Sequence, residues 1–244
     1  MTSTVPAPGT RPAEGSALQA VLLDMDGTLV DTEGFWWDVE VEVFAALGHT
    51  LDDSWRHVVV GGPMTRSAGF LIEATGARVS LAELTVLLND GFEKRITRTL
   101  PLMPGATRLL AELYAHQVPT ALVSASHRRI IDRVLASLGA HHFALTVAGD
   151  EVERTKPYPD PYLTAAAGLG ADPGRCAVVE DTATGVAAAE AAGCQVVAVP
   201  SVAPITPAAR RTVVTSLEEV DLAFLRGLMT PADRVTPSPS VRPR

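Results

Sequence analysis

Short apolar runs alternate with amphipathic helical stretches along most of this sequence, and that alternation constrains the fold more than any other feature. The apolar runs are bounded by turn residues or charges, as expected of buried strands. They cover residues 20–24, 120–124, 143–148, 176–180, 195–199 and 212–214. Helical patterns cover residues 105–116, 128–138, 162–168 and 185–192. Repeated strand–helix units predict an α/β fold, a Rossmann-like parallel sheet with helices on both faces.

One long segment interrupts this alternation. Residues 31–100 contain no convincing strand and follow helical periodicity over 35–47, near Trp55, over 65–75 and over 81–99. This helical segment is too long for a single connection between two strands. We therefore expect a helical domain inserted into a core formed by residues 18–30 and 101–229. The hinges are expected near residues 30–32 and 100–104. The ends, residues 1–17 and 230–244, are rich in Pro, Ser, Thr and Gly or Arg, and are predicted to be disordered.

Composition excludes several classes of protein. With 47% hydrophobic and 20% charged residues among 244, the chain can bury a sizeable core. A net charge of -8 argues against a general nucleic-acid binder. No apolar run approaches the roughly 18 residues that span a bilayer, and none resembles a signal peptide. Cys176 and Cys194 have no metal-like spacing, so we expect reduced, buried cysteines in a cytoplasmic and monomeric protein.

Polar side chains follow four of the predicted strands at their carboxyl ends, where open parallel sheets gather their ligands. They are Asp24 and Asp26, then Ser124, then Lys156, then Glu180 and Asp181. Four carboxylates brought together repel one another unless a cation lies among them, and an all-oxygen set suits Mg²⁺. Lys156 is one of only two lysines in the chain, against eighteen arginines.

These residues carry a resemblance to a known family. DMDGTLVDTE, VSAS, TKPYPDPYL and VVEDTATGVAAAEAAG, in this order, resemble the four motifs of the haloacid dehalogenase superfamily. The sequence is most similar to the phosphatase branch that includes β-phosphoglucomutase and phosphoglycolate phosphatase. The resemblance covers residues 20–200, and the four motifs together are highly specific. It implies that the helical insertion is a cap that closes over the site.

The resemblance also implies a role for each core residue. Asp24 is expected to attack phosphorus and form an aspartyl-phosphate. Asp26 is expected to protonate the leaving oxygen and then to activate water. Lys156 is expected to neutralise charge on the nucleophile and the phosphoryl group.

The remaining core residues are expected to hold the metal and the substrate. Mg²⁺ would be bound by Asp24, the backbone carbonyl of Asp26 and Asp181, and by Glu180 directly or through water. Thr28, Ser124 and Ala125 are expected to contact the substrate, together with Lys156. Ser126 is interpreted as the N-cap of the next helix.

The cap offers one candidate residue and two departures from the family pattern. Arg66 lies where some relatives present a polar group to the substrate. Mutases of this type carry a His soon after the first motif, where this chain has Trp36, and a Lys in the last cap helix, where it has residues 87–89 (LLN). The sequence therefore favours a Mg²⁺-dependent phosphatase acting on a small phosphorylated metabolite, most simply a sugar phosphate. A phosphohexose mutase and an inactive binding protein of the same fold stay open as alternatives.

Overall fold

The computed structural model describes residues 18–59, 64–96, 100–201 and 203–229. Within them, six strands form one parallel sheet with the order β3-β2-β1-β4-β5-β6. The strands are β1 (Ala20–Leu23), β2 (Thr120–Val123), β3 (Leu145–Val147), β4 (Cys176–Glu180), β5 (Gln195–Ala198) and β6 (Arg211–Val213). Each coincides with a predicted apolar run, so the predicted sheet is confirmed.

The central strands are apolar throughout because both faces of the sheet are covered. All four residues of β1 are fully buried. Val21 and Leu23 belong to the hydrophobic cluster on one face, whereas Ala20 and Leu22 belong to the cluster on the other. The strand order places the carboxyl end of β1 inside the sheet edge, flanked by β2 and β4.

Helices connect the strands on both faces. In the core they are α5 (Ala106–Ala115), α6 (Arg128–Leu138), α7 (Asp160–Gly168), α8 (Ala183–Ala191) and α9 (Leu222–Gly227). Helices α5, α6, α7 and α8 each start within two residues of their predicted positions. Helices α7 and α8 pack on the cluster that contains Leu22, and α5 and α6 pack on the cluster that contains Val21.

The segment between β1 and α5 is helical, as predicted, and we call residues 31–100 the cap. Its helices are α1 (Glu33–Ala46), α2 (Arg56–Val59), α3 (Met64–Thr75) and α4 (Leu81–Ile96). The two chain segments that enter and leave the cap run side by side: Asp31 donates its backbone N–H to Pro101 (2.9 Å), and Met103 donates to Leu29 (2.9 Å). Both predicted hinge regions therefore lie at one place, directly beside β1.

The cap packs on the core through α4 and α6. Arg129 pairs with Asp90 (2.6 Å), and Arg133 pairs with Glu93 (2.7 Å). The apolar cluster that contains Val21 also contains Phe44 of the cap, so the packed interior is continuous between the two parts.

Other predictions concern the ends, the cysteines and membranes. The predicted disordered tails lie outside the described residues. Cys176 and Cys194 are buried and free, as predicted, and burial raises the pKa of each thiol to about 12. Among the described helices, none combines the length and the apolarity that crossing a bilayer requires.

Candidate active site

The carboxyl edge of the sheet brings the predicted residues together. Asp24 directly follows β1 and Ser124 directly follows β2. Glu180 ends β4 and Asp181 follows it, while Lys156 reaches in from the loop before α7. All five side chains are buried. The parallel topology alone accounts for this convergence, because adjacent strands end at the same edge.

Lys156 links the first and fourth strands. Its ammonium group donates to Asp24 Oδ1 (2.5 Å), Glu180 Oε1 (2.6 Å) and the carbonyl of Val123 (3.0 Å). Only 4% of the side chain surface is exposed. Burial works to lower the pKa of Lys156, but Asp24 and Glu180 outweigh it and raise the pKa above its usual value. Lys156 therefore carries a fixed positive charge against Asp24.

Asp24 is held in a setting that opposes its ionisation. Burial, followed by the charge of Glu180, raises the pKa of Asp24 to about 7, and Lys156 acts in the opposite direction. A cation bound beside Asp24 would favour the carboxylate further.

Glu180 has both carboxylate oxygens occupied by donors. Oε1 accepts from Lys156 and from the hydroxyl of Tyr162 (2.9 Å). Oε2 accepts from the backbone N–H of Asp181 (3.0 Å) and from the backbone and hydroxyl of Thr182 (both 3.1 Å). Gly185 of α8 packs against this carboxylate so closely that a Cβ there would overlap it. Glu180 thus positions Lys156, which is a use of the residue that the sequence did not predict.

Asp181 is oriented by neutral hydroxyls. Thr28 donates to Oδ1 (3.2 Å) and Ser201 donates to Oδ2 (2.5 Å). Gly27 turns the chain directly after Asp26 with a left-handed φ of 77°, and a Cβ there would overlap the Asp181 carboxylate. Glycine is therefore required at this position for two reasons, its φ and the close approach of Asp181.

Asp26 lies among hydrogen-bond donors from the core and the cap. Oδ1 accepts from Thr32 (2.7 Å) and, at a longer 3.5 Å, from the indole N–H of Trp36. Oδ2 accepts from Ser126 (2.9 Å) and Ser124 (3.3 Å). No cation touches Asp26 among the described side chains, so its carboxylate and that of Asp24 occupy different electrostatic settings.

Trp36 brings the cap to this edge of the sheet. Its ring stacks on Phe92 of α4 with centroids 3.7 Å apart and an interplanar angle of 9°. The stack places an aromatic wall beside Asp26.

Three of these carboxylates form a candidate metal site. Ligand atoms of Asp24, Glu180 and Asp181 all lie within 4.8 Å of one another. An all-oxygen donor set of this size fits a hard divalent cation. Because the Glu180 oxygens already accept five hydrogen bonds, Asp24 and Asp181 are the members best able to contact the ion directly. The Asp26 carboxylate is not part of this set, and the backbone carbonyl of Asp26 stays a predicted ligand.

The predicted substrate-binding residues fall in three groups. Ser124 and Thr28 donate to Asp26 and Asp181, so in this structure each orients a carboxylate, and their contact with substrate stays a prediction. Ala125 lies at the same edge, where its carbonyl meets the chain at Gly149 so closely that a Cβ would not fit. Arg66 lies exposed on α3, and no hydrogen bond or ion pair joins it to the site within the described residues.

Two features of the site differ from the sequence interpretation or were missed by it. Ser126 is not the cap of α6: His127 occupies the N-cap position, and the Ser126 hydroxyl binds Asp26 instead. Tyr162 is fully buried on α7, and its hydroxyl donates to Glu180, a contact that the sequence does not predict. Helical periodicity makes Tyr162 a packing residue, and only the fold brings its hydroxyl to a carboxylate.

Comparison with known proteins agrees with this geometry. A haloacid dehalogenase-like hydrolase model matches residues 18–193. (DL)-glycerol-3-phosphatase 2 of Arabidopsis thaliana is 34% identical over 205 residues, covering 79% of this chain and 84% of that protein. The bifunctional riboflavin kinase/FMN phosphatase of the same plant is 34% identical over 186 residues, or 74% of this chain. This chain spans about half of that protein, 48% of its length.

A solved structure is similar over nearly its whole length. CbbY from Rhodobacter sphaeroides, in complex with xylulose 1,5-bisphosphate, superposes with a TM-score of 0.77 and 25% identity, covering 85% of this chain and 99% of that one. The family match extends over the sheet edge and the cap, and the family's four motifs occupy that edge. The chain belongs to the haloacid dehalogenase-like hydrolases.

Proposed function

We propose that this protein is a Mg²⁺-dependent phosphatase that removes phosphate from a small phosphorylated metabolite through an aspartyl-phosphate. The observation that carries the proposal is the pair of acids in unlike settings. Asp24 lies 2.5 Å from a buried ammonium group, while Asp26 lies among hydroxyl and indole donors. Such a pair can divide the work of a nucleophile and an acid–base between two carboxyl groups.

The reaction balances with these two residues and water. An oxygen of Asp24 bonds to phosphorus while the bond between phosphorus and the leaving oxygen breaks, and Asp26 gives that oxygen a proton. Asp26 then takes a proton from a water molecule, whose oxygen attacks phosphorus and breaks the bond to Asp24. Inorganic phosphate leaves, and both carboxyl groups return to their starting states.

Lys156 and the metal supply positive charge to this site. Lys156 stays charged beside Asp24, and Glu180 and Tyr162 fix its position. A bound Mg²⁺, held by Asp24, Asp181 and the carbonyl of Asp26, would stabilise negative charge on the phosphoryl oxygens. Glu180 would act on the ion without direct contact, because its negative charge lies close by and because it fixes the position of Lys156.

The substrate class is proposed from the relatives and the cap. The similar plant protein is named a glycerol-3-phosphatase, and the similar crystal structure holds a sugar bisphosphate. Glycerol 3-phosphate and xylulose 1,5-bisphosphate are both phosphate esters of hydroxylated carbon chains. A sugar or polyol phosphate is therefore the proposed substrate, with the cap enclosing the leaving alcohol. Trp36 at the place of the mutase His disfavours a phosphohexose mutase, which would interconvert isomers with little net release of phosphate.

A phosphate-release screen tests the proposal. Purified protein is assayed with Mg²⁺ against p-nitrophenyl phosphate and about one hundred phosphorylated metabolites, with Asp24→Asn as the matched control. The expected result is release by the wild type that is lost in the variant. Absence of any turnover above that control would contradict the proposal, as would isomerisation of a hexose phosphate without release.

A further inference from the structure

A second buried carboxyl group lies in the cap, outside the machinery described above. Glu40 is only 6% exposed in the middle of α1. Within the described part of the chain, no hydrogen bond or ion pair reaches its carboxyl group. Burial alone raises the pKa of Glu40 to about 8, which agrees with the lack of a partner. Helices rarely bury such a group unless something satisfies it.

The position of Glu40 on α1 directs it toward the active site. Trp36, whose indole reaches Asp26, lies one turn earlier on the same helix face, since residues i and i+4 are neighbours. Side chains on a helix lean toward its N-terminus, which is the direction from Glu40 to Trp36. The two Cα positions are about 6 Å apart along the helix axis, a distance that a leaving group of several carbon atoms spans.

The neighbouring cap helix carries a fully buried polar atom without a partner among the described residues. Asn89 of α4 is 2% exposed; its amide nitrogen donates to the carbonyl of Thr85 (2.9 Å), and its Oδ1 is buried without a partner. Asn89 lies three residues before Phe92, the ring that stacks on Trp36. Glu40 and Asn89 thus lie on the two helices that carry the Trp36–Phe92 stack, each about one turn from its ring along its own helix.

We propose that Glu40, together with Asn89 of the neighbouring helix, recognises hydroxyl groups of the leaving alcohol, which makes this chain selective for phosphate esters of polyhydroxylated compounds. The inference rests on the proposed function and names its substrate class from the cap. A hydroxyl both donates and accepts, so it satisfies a buried carboxyl group and an amide oxygen. An apolar leaving group leaves them unpaired, which is the strongest form of discrimination available to a binding site.

A stability role alone does not account for the pair. A leucine in place of Glu40 would bury more apolar surface and avoid the desolvation of a carboxyl group. The opposite side of the same helix shows the contrast, because the exposed Glu42 pairs with Arg95 (2.7 Å). Asp38, which is also exposed on α1, lies 4.0 Å from the same Arg95.

The test compares esters matched in length. We measure kcat/KM by phosphate release, with Mg²⁺, for glycerol 3-phosphate against n-propyl phosphate and for glucose 6-phosphate against n-hexyl phosphate. For the wild type, at least one hydroxylated ester is expected to exceed its alkyl partner by about 100-fold. Glu40→Leu is expected to reduce that ratio at least about tenfold, and Glu40→Gln, which can still donate and accept, is expected to keep most of it.

Glu42→Leu is the matched control, on the same helix and outside the site, and it should keep the wild-type ratio. Circular dichroism checks that every variant is folded. Equal losses for both ester classes in Glu40→Leu would overturn the inference in favour of a structural role. A wild type that hydrolyses both classes equally would overturn it while leaving the phosphatase proposal intact. Release from neither class would refute the phosphatase proposal itself.

Discussion

The buried Glu40 carboxyl group makes a quantitative prediction about stability and pH. In the unfolded chain this carboxyl ionises near its ordinary value of 4.5, and in the folded protein its pKa is about 8. Between these values the folded state binds more protons than the unfolded state, so the free energy of unfolding falls as pH rises. The stabilising contribution is complete below pH 4.5 and is lost once pH passes 8. Glu40→Gln, which cannot ionise, abolishes this loss.

The size of the effect follows from the two pKa values. Each pH unit between them lowers the free energy of unfolding by about 1.4 kcal/mol, so the whole interval corresponds to about 5 kcal/mol. From pH 6 to pH 8.5 the advantage of Glu40→Gln over the wild type should therefore grow by about 3 kcal/mol.

Urea denaturation at pH 6 and pH 8.5 measures this difference. All three tryptophans of the chain, Trp36, Trp37 and Trp55, lie in the cap, so their fluorescence reports unfolding around Glu40. The midpoint should shift while the slope of the transition stays the same. Glu42→Gln serves as the control, since Glu42 lies on the exposed side of α1 and its ordinary pKa is lowered by Arg95. Parallel pH profiles for Glu40→Gln and the wild type would refute the assignment of Glu40 as a buried group without a partner.

Two further predictions concern the core of the site. Lys156→Arg should lower kcat about 100-fold or more and leave the circular dichroism spectrum unchanged, because a forked guanidinium cannot occupy the buried space that one ammonium shares with Asp24 and Glu180; wild-type turnover would count against the role of Lys156. Gly185→Ala should destabilise the fold by about 1–3 kcal/mol and reduce turnover, because its Cβ overlaps Glu180. Gly69→Ala, at a helical position with open space around it, should leave both unfolding temperature and turnover near the wild-type values or raise the former.

Much of the fold could be predicted because its signals are local. Every predicted strand is present, and each predicted cap helix begins within two residues of its predicted start, or, for the short helix near Trp55, at Asp53. The apolar runs are continuous because both faces of a parallel sheet are buried, and the cap helices show their own period. The convergence of Asp24, Lys156 and Glu180 also followed from strand order along the chain, since parallel strands end at one edge.

The roles of individual side chains were less accessible. Ser126 stands where a helix cap is common, and its hydroxyl binds Asp26 because β2 ends beside β1. Glu180 looks like a metal ligand in its motif, yet its oxygens accept hydrogen bonds from Lys156 and Tyr162. They also accept from the two residues that follow Glu180. The contacts of Ser126 with Asp26, and of Glu180 with Lys156 and Tyr162, have no signature in the neighbouring residues, because these partners are far apart in sequence.

The sequence by itself determined the parallel sheet, the helical insertion after the first strand and the set of acids and the lysine at the sheet edge. Those properties depend on periodicity and on residue type, which a linear chain carries in full. Only the tertiary structure decided that Trp36 reaches Asp26, that Glu180 anchors Lys156 and that Glu40 is buried with no hydrogen-bond partner among the described residues. Burial and hydrogen bonding depend on how the elements pack together. Whether an acidic residue on a helix faces water is therefore decided only when its neighbours have packed.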